Sequence, residues 1–371
     1  MSQQAVSPAE DQNDVAAVTS EWLRRGIPSA ANVIVVMMRK GGAGKTTTTL
    51  LLADAFARFG LNPLVVDMDP QGNSSIGLGK QVSLIEVGHT KIGKRQPIYE
   101  PLENTVCEVI QSGEPGVADE AIAIVDWGYD TTETFERGGP LYPGRIGTIG
   151  VIPCYKALES AVTGWTTPKD LERLGSALLL TAESGGVAPH HRWDVVLIDT
   201  PPGGSLISVQ AAKAAFWVLF VAPPAKFAAA AVPDTTELVD DIRDNYGHDD
   251  LDILGLIIND HVKQTRLTQR NMIGQLEERQ REGDRLFRAP IWPVPVPHYT
   301  VVQDSHAANA PVSAFLADRA SREPARRVCQ AAEANALQIL HKIGHPLAGD
   351  IQRAWAAGWP KDHRAAFIRG E

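Results

Sequence analysis

Short continuous runs of β-branched and aliphatic residues constrain this chain most: each closes in a polar or Gly-rich turn and is followed by a longer segment of helical spacing. The runs are Val33–Met38, Leu64–Val66, Ile149–Ile152, Val195–Ile198, Trp217–Val221, Ile253–Ile258 and Ile291–Val296. A strand with one wet face alternates apolar and polar residues, so unbroken apolar runs predict strands covered on both faces. They predict an α/β fold with a doubly wound, mostly parallel sheet flanked by helices. At 371 residues and 44% hydrophobic content, the chain is long enough to fill such a core. Residues 1–30 read as an N-terminal tail, partly disordered, 31–322 as the main domain, and 323–371 as a C-terminal helical segment. Residues 128–145, rich in Gly, Pro, Thr and Tyr, read as an inserted loop.

Composition narrows the classes further. Cys107, Cys154 and Cys329 lack close spacing and form neither a disulfide framework nor a zinc site; they suit a reducing cytoplasm and read as packing residues. Met1 to Asp14 is polar and acidic, without the basic start and apolar run of a secretory signal. The most apolar stretch, Phe216 to Val232, is broken by Pro223, Pro224 and Lys226, which predicts a soluble, cytoplasmic protein. The formal charge of −9 excludes a uniformly basic nucleic-acid binder. Basic residues nevertheless outnumber acidic ones over Lys263–Arg288 and Arg319–Arg369, which permits a local basic face.

The first apolar run leads into Arg39-Lys40-Gly41-Gly42-Ala43-Gly44-Lys45-Thr46-Thr47, and a helix is predicted to open there. Glycines let backbone N–H groups converge on a phosphate without Cβ clashes, and Lys45 adds a point charge to the β and γ oxygens. Thr46 offers its hydroxyl to Mg²⁺. These features predict a P-loop NTPase that binds ATP through Gly41, Gly42, Ala43, Gly44, Lys45, Thr46 and Thr47. Val195 to Ile198 is apolar and leads into Asp199, the shape of a Walker B strand whose Asp199 holds Mg²⁺.

Position 39, where the first glycine of the standard pattern would fall, is Arg, and a second lysine stands at position 40. This resembles the deviant Walker A box of the family that includes ParA, MinD and the nitrogenase iron protein. The resemblance implies that Lys40 reaches across a dimer interface to the partner's nucleotide, making ATP binding and homodimerisation one event. Val65-Val66-Asp67-Met68-Asp69-Pro70-Gln71-Gly72-Asn73 is similar to the ParA stretch after the second strand. By that similarity Asp69 orients the attacking water, with Asp67 nearer the metal's outer shell. The Pro201-Pro202-Gly203-Gly204 stretch resembles the second switch loop, Asn259 the base contact, and Pro297 part of the segment packing on the base's other face. The landmarks keep the family's order from about Asn32 to about Arg322.

The resemblance implies a Mg²⁺-dependent ATPase with slow intrinsic turnover. Its ATP-bound dimer would bind double-stranded DNA without sequence preference on the nucleoid, and a ParB-like centromere-binding activator would release it. Candidate DNA contacts are Lys263, Arg266 and Arg270, while Gln264 and His298 stand where family arginines align. The segment before the first strand is too short for the helix-turn-helix domain of the autorepressing type, so no specific operator binding is expected. A MinD-like membrane regulator would need an amphipathic tail. Arg353, Trp355, Trp359, Lys361, Arg364 and Phe367 supply its residue types, but Pro360 splits them, and no stable membrane association is expected. A third alternative is a ParA-like ATPase that positions a non-DNA cargo. An iron–sulfur enzyme is disfavoured because Cys107 and Cys154 both precede Asp199 and no cysteine follows it closely.

Overall fold

The computed structural model describes residues 32–89, 97–127, 146–165, 167–178, 193–224, 226–259 and 267–358. The strands are β1 (Asn32–Met37), β2 (Pro63–Asp67), β3 (Leu84–His89), β4 (Pro97–Pro101), β5 (Ala123–Ile124), β6 (Gly150–Ile152), β7 (Val195–Asp199), β8 (Trp217–Ala222) and β9 (Asp252–Ile258). The helices are α1 (Lys45–Arg58), α2 (Asn73–Gly77), α3 (Val106–Ser112), α4 (Leu158–Ala161), α5 (Pro168–Leu178), α6 (Leu206–Lys213), α7 (Lys226–Tyr246), α8 (Leu267–Arg281), α9 (Thr300–Ala308), α10 (Arg322–Lys342) and α11 (Ala348–Gly358). The inserted loop at 128–145 and the tail at 1–30 lie outside the described residues.

The main sheet has the order β5-β6-β2-β7-β1-β8-β9 and is parallel except for β5 against β6. Its six parallel strands are buried on both faces, as the unbroken apolar runs require, while the edge strand β5 is not. Val33, Val35 and Met37 of β1 enter one layer with Ile110 of α3, Leu174 of α5 and Ile242 of α7. Ile34 and Val36 enter the other with Phe56 of α1, Leu337 of α10 and Trp355 of α11. The helices α10 and α11 complete the second layer. The buried Arg58 of α1 pairs with Glu333 of α10, and Trp355 Nε1 donates to Glu333 Oε2 at 3.0 Å.

One expected strand is absent. Ile291–Val296 forms only a single bridge, Leu256 to Ile291, beside β9. Pro293 and Pro295 carry no N–H to give to a ladder, so only scattered donors remain. Trp292 N–H reaches Leu256 O at 2.9 Å and Val296 N–H reaches Ile258 O at 2.8 Å. The antiparallel ribbon β3–β4 is an element the apolar runs did not announce.

Because β1 lies between β7 and β8, the chain reverses its winding direction at the centre of the sheet. Loops leaving the carboxyl ends of β1, β2 and β7 open a crevice at such a point, the place where open α/β sheets bind ligands.

Candidate functional site

The loop between β1 and α1 has its glycines where the backbone demands them. Gly44 has φ 88°, and a Cβ there would fall 1.7 Å from Asn259 Nδ2. Asn259, expected at the base, thus lies with its amide against the phosphate loop. Gly42 is also left-handed, at φ 71°. A Cβ on Gly41 would sit 3.7 Å from Pro202 Cβ, so this loop touches the segment after β7. Gly203 N–H also donates to Arg39 O at 2.9 Å, and Arg39 N–H to Thr235 Oγ1 of α7 at 3.2 Å. The side chains of Arg39 and Lys40 are exposed.

Lys45 is buried, with Nζ 3.4 Å from Met38 O. Burial pushes its pKa down, while the charges of Asp199 and Asp69 pull it back up. An ammonium held this way lacks the solvation it would have in water, and a phosphate anion would restore it. Thr46 Oγ1 donates to Asp199 Oδ2 at 2.7 Å, and Ser74 Oγ donates to the same oxygen at 2.7 Å. Asp199 Oδ1 is buried and has no hydrogen-bond partner. Thr47 lies one residue further into α1 and is half-buried.

Asp67 and Asp199 end neighbouring strands and are paired in register. Asp67 Oδ2 accepts from Ser75 N–H at 2.8 Å and Ser75 Oγ at 2.7 Å, and its Oδ1 accepts from Asp69 N–H at 3.1 Å. Burial pushes Asp67 up and the charge of Asp199 adds to the rise; burial likewise pushes Asp199 up. Asp199 and Asp69 act on the Lys45 ammonium and Asp67 lies beside Asp199, so three buried carboxylates share one buried ammonium in a site short of positive charge. Asp69 is buried, and its Oδ1 accepts from Gln71 N–H at 2.9 Å. Gly72 turns the chain there: its φ is 65°, and a Cβ would fall 2.7 Å from Cys154 O.

The donor set fits Mg²⁺ brought in with ATP. The unpartnered Asp199 Oδ1 and the Thr46 hydroxyl supply hard oxygens beside the phosphate loop, and Mg²⁺ takes few protein ligands when phosphates and water provide the rest. Among the described residues, no group of three or more His, Cys, Asp or Glu side chains is placed to hold a metal by itself.

Val296 N–H is bonded to Ile258 O, which brings the segment before the half-buried Pro297 beside the end of β9, next to Asn259. Lys263, Arg266 and Gln264 lie outside the described residues, as does the side chain of Arg270. Ser74 and Ser75, both bonded to site aspartates, escaped sequence reasoning. Two hydroxyl residues directly after Asp-Met-Asp-Pro-Gln-Gly-Asn were the available signal.

A family model described as the CobQ/CobB/MinD/ParA nucleotide binding domain matches residues 34–311. The chain belongs to this family. Its P-loop crevice is accordingly a nucleotide site. The ATP complex of a McdA variant from Cyanothece is 19% identical over 82% of this chain and 97% of that chain, with a TM-score of 0.56. Cobyrinic acid a,c-diamide synthase from Mycobacterium smegmatis, bound to an ATP analog and magnesium, is 21% identical over 84% of this chain and 95% of that one, with a TM-score of 0.57. The septum site-determining protein MinD from Pyrococcus horikoshii, complexed with Mg-ADP, is 19% identical over 86% and 98%, with a TM-score of 0.53. At these identities the likeness shows the shared fold. A search of the curated proteins found no match.

Proposed function

We propose that this chain is a ParA-type partition ATPase, in which ATP closes a sandwich dimer that loads onto DNA and hydrolysis releases it. The observation that carries this reading is the exposed Lys40 on a phosphate loop tied by its neighbour to the Pro201–Ser205 segment, through the 2.9 Å bond from Gly203 N–H to Arg39 O. Lys40 is exposed where Lys45 is buried, and on this reading it serves a second subunit's nucleotide. A nucleotide-dependent movement after β7 would be felt at the same face.

Within one protomer, the backbone N–H groups from Gly41 to Thr47 hold the phosphates, and Lys45 pairs with the β and γ oxygens. The Thr46 hydroxyl and Asp199 would hold the metal. Mg²⁺ bound with the nucleotide would neutralise charge developing on the phosphate oxygens. Asp69 orients the water for in-line attack on the γ-phosphorus, and Asp67 keeps the loop carrying Asp69 in place through the Asp69 N–H bond. Lys40 from the partner completes the charge balance only in the dimer, which makes the isolated protomer slow. Asn259 and Pro297 bracket the base. Lys263, Arg266 and Arg270 contact DNA phosphates, and a ParB-like activator triggers release from the nucleoid.

One observation bears on the membrane alternative: Trp355, an aromatic that a membrane-seeking tail would use, is only 2% exposed and is bonded to Glu333. Trp359, Lys361, Arg364 and Phe367 lie outside the described residues.

The test is binding of the purified protein to random-sequence duplex DNA at near-physiological salt, without nucleotide, with ADP and with ATP–Mg²⁺. Wild type is expected to bind only with ATP and Lys40→Ala to fail, while Asp69→Ala binds but does not hydrolyse. Dimerisation by ATP without DNA binding in any form would overturn the DNA step, leaving a positioning ATPase for another cargo.

A further inference from the structure

Two hydroxyls from different elements converge on one oxygen of Asp199: Thr46 from α1 and Ser74 from α2, each at 2.7 Å from Oδ2. A carboxylate oxygen has two lone pairs, so Oδ2 is fully engaged while Oδ1 is left bare and buried. The terminal torsion of an aspartate is broad and roughly two-fold, so the carboxylate needs outside contacts to fix which oxygen faces the crevice. Thr46 has one O–H to give and supplies one of these contacts; the second comes from Ser74.

We propose that Ser74 is a positioning residue for the metal site, holding Asp199 so that Oδ1 faces the cation; this rests on reading Thr46 and Asp199 as the Mg²⁺-holding pair. Ser74 is fully buried, so its hydroxyl is not shared with bulk water. Its placement is set by the next residue. Ser75 donates through N–H and Oγ to Asp67, and its Oγ accepts from Cys154 N–H at 3.0 Å. Consecutive serines of one short helix therefore address the two aspartates that end paired strands, and the segment carrying Asp69 is strung between β2 and that anchor. Metal affinity and the position of Asp69 are thus set by the same helix.

The experiment is a Mg²⁺ titration of methylanthraniloyl-ATP binding to the full chain, with free Mn²⁺ followed by electron paramagnetic resonance as a second, activity-free readout. In Ser74→Ala the half-saturating metal concentration is expected to rise about tenfold, the scale on which outer-shell partners tune metal sites. Nucleotide binding and the melting temperature in EDTA are expected to stay at wild-type values. An unchanged metal requirement overturns the proposal. So does a variant that weakens equally with and without metal, because that is the mark of a hydroxyl serving packing alone. A wild type whose nucleotide binding ignores Mg²⁺ would overturn the Thr46–Asp199 reading itself, an outcome distinct from either.

Discussion

At the residue scale, the site depends on close approaches that leave no room for a side chain. Gly44 combines a left-handed backbone with the Asn259 amide where its Cβ would stand. Gly44→Ala adds strain of about 1–3 kcal/mol and displaces Asn259. Nucleotide affinity should fall by roughly ten- to a hundredfold in a fluorescence titration, since each 1.4 kcal/mol is a factor of ten. In Gly44→Ala/Asn259→Ala the clash is gone and the backbone penalty remains, so melting temperature should recover in part. No recovery would mean that φ alone sets the cost. Gly44, Lys45, Thr46 and Asp199 were legible in the sequence because strand–loop–helix geometry restricts which residue types fit there. Ser74 was not: a five-residue helix has no periodicity to reveal which hydroxyl points inward.

At the scale of elements, the buried contact between α1 and α10 stitches the phosphate-loop helix to the C-terminal layer. Arg58 and Glu333 are both buried, and burial pushes Glu333 above the usual carboxylate range despite the Arg58 charge beside it. Glu333→Ala breaks a buried ion pair and leaves a cavity, so it should cost about 3–5 kcal/mol in urea unfolding. Arg58→Met/Glu333→Leu should regain most of that loss, because an apolar pair of similar volume needs no buried charge to be desolvated. If the double variant is as unstable as the single, packing rather than charge dominates. A second element-scale prediction concerns His248, in the turn between α7 and β9, whose ring lies 2.6 Å from Ala215 O. Burial pushes its pKa below the ordinary 6.5. The folded state therefore resists the proton that the unfolded chain accepts, and stability is lost as pH falls below about 6.5. His248→Gln should flatten that acid limb in melting curves recorded from about pH 7.5 to about pH 5.5. The six parallel strands of the main sheet were legible because burial on both faces forces unbroken apolar sequence. Ile291–Val296 carries the same signal, yet its prolines forbid the ladder. The β3–β4 ribbon leaves Ile85, Val87, Ile98 and Tyr99 exposed, so burial did not write its strands into the pattern.

At the scale of the whole molecule, a chain of net charge −9 that binds DNA as proposed would have to do so through a local patch, and dimerisation would change how much patch is available. Three candidate contacts per protomer, Lys263, Arg266 and Arg270, release few counterions when a monomer binds alone. The slope of log affinity against log salt is about −0.9 per phosphate contact, so a monomer should show roughly −3 and an ATP-closed dimer roughly −5. On the proposed function, the steeper dependence would accompany the larger total attraction at near-physiological salt, and nucleotide state would be converted into DNA occupancy without any base-specific contact. The prediction is therefore two-part: with ATP the slope for random duplex steepens toward the dimer value, and Lys263→Ala/Arg266→Ala/Arg270→Ala returns it to shallow values while ATP-driven dimerisation, read by light scattering, persists. A steep slope that survives the triple substitution would move the contact surface elsewhere, with Arg319–Arg369 the next basic stretch to test. A slope that is flat in every nucleotide state would leave the switch intact and remove DNA as its track.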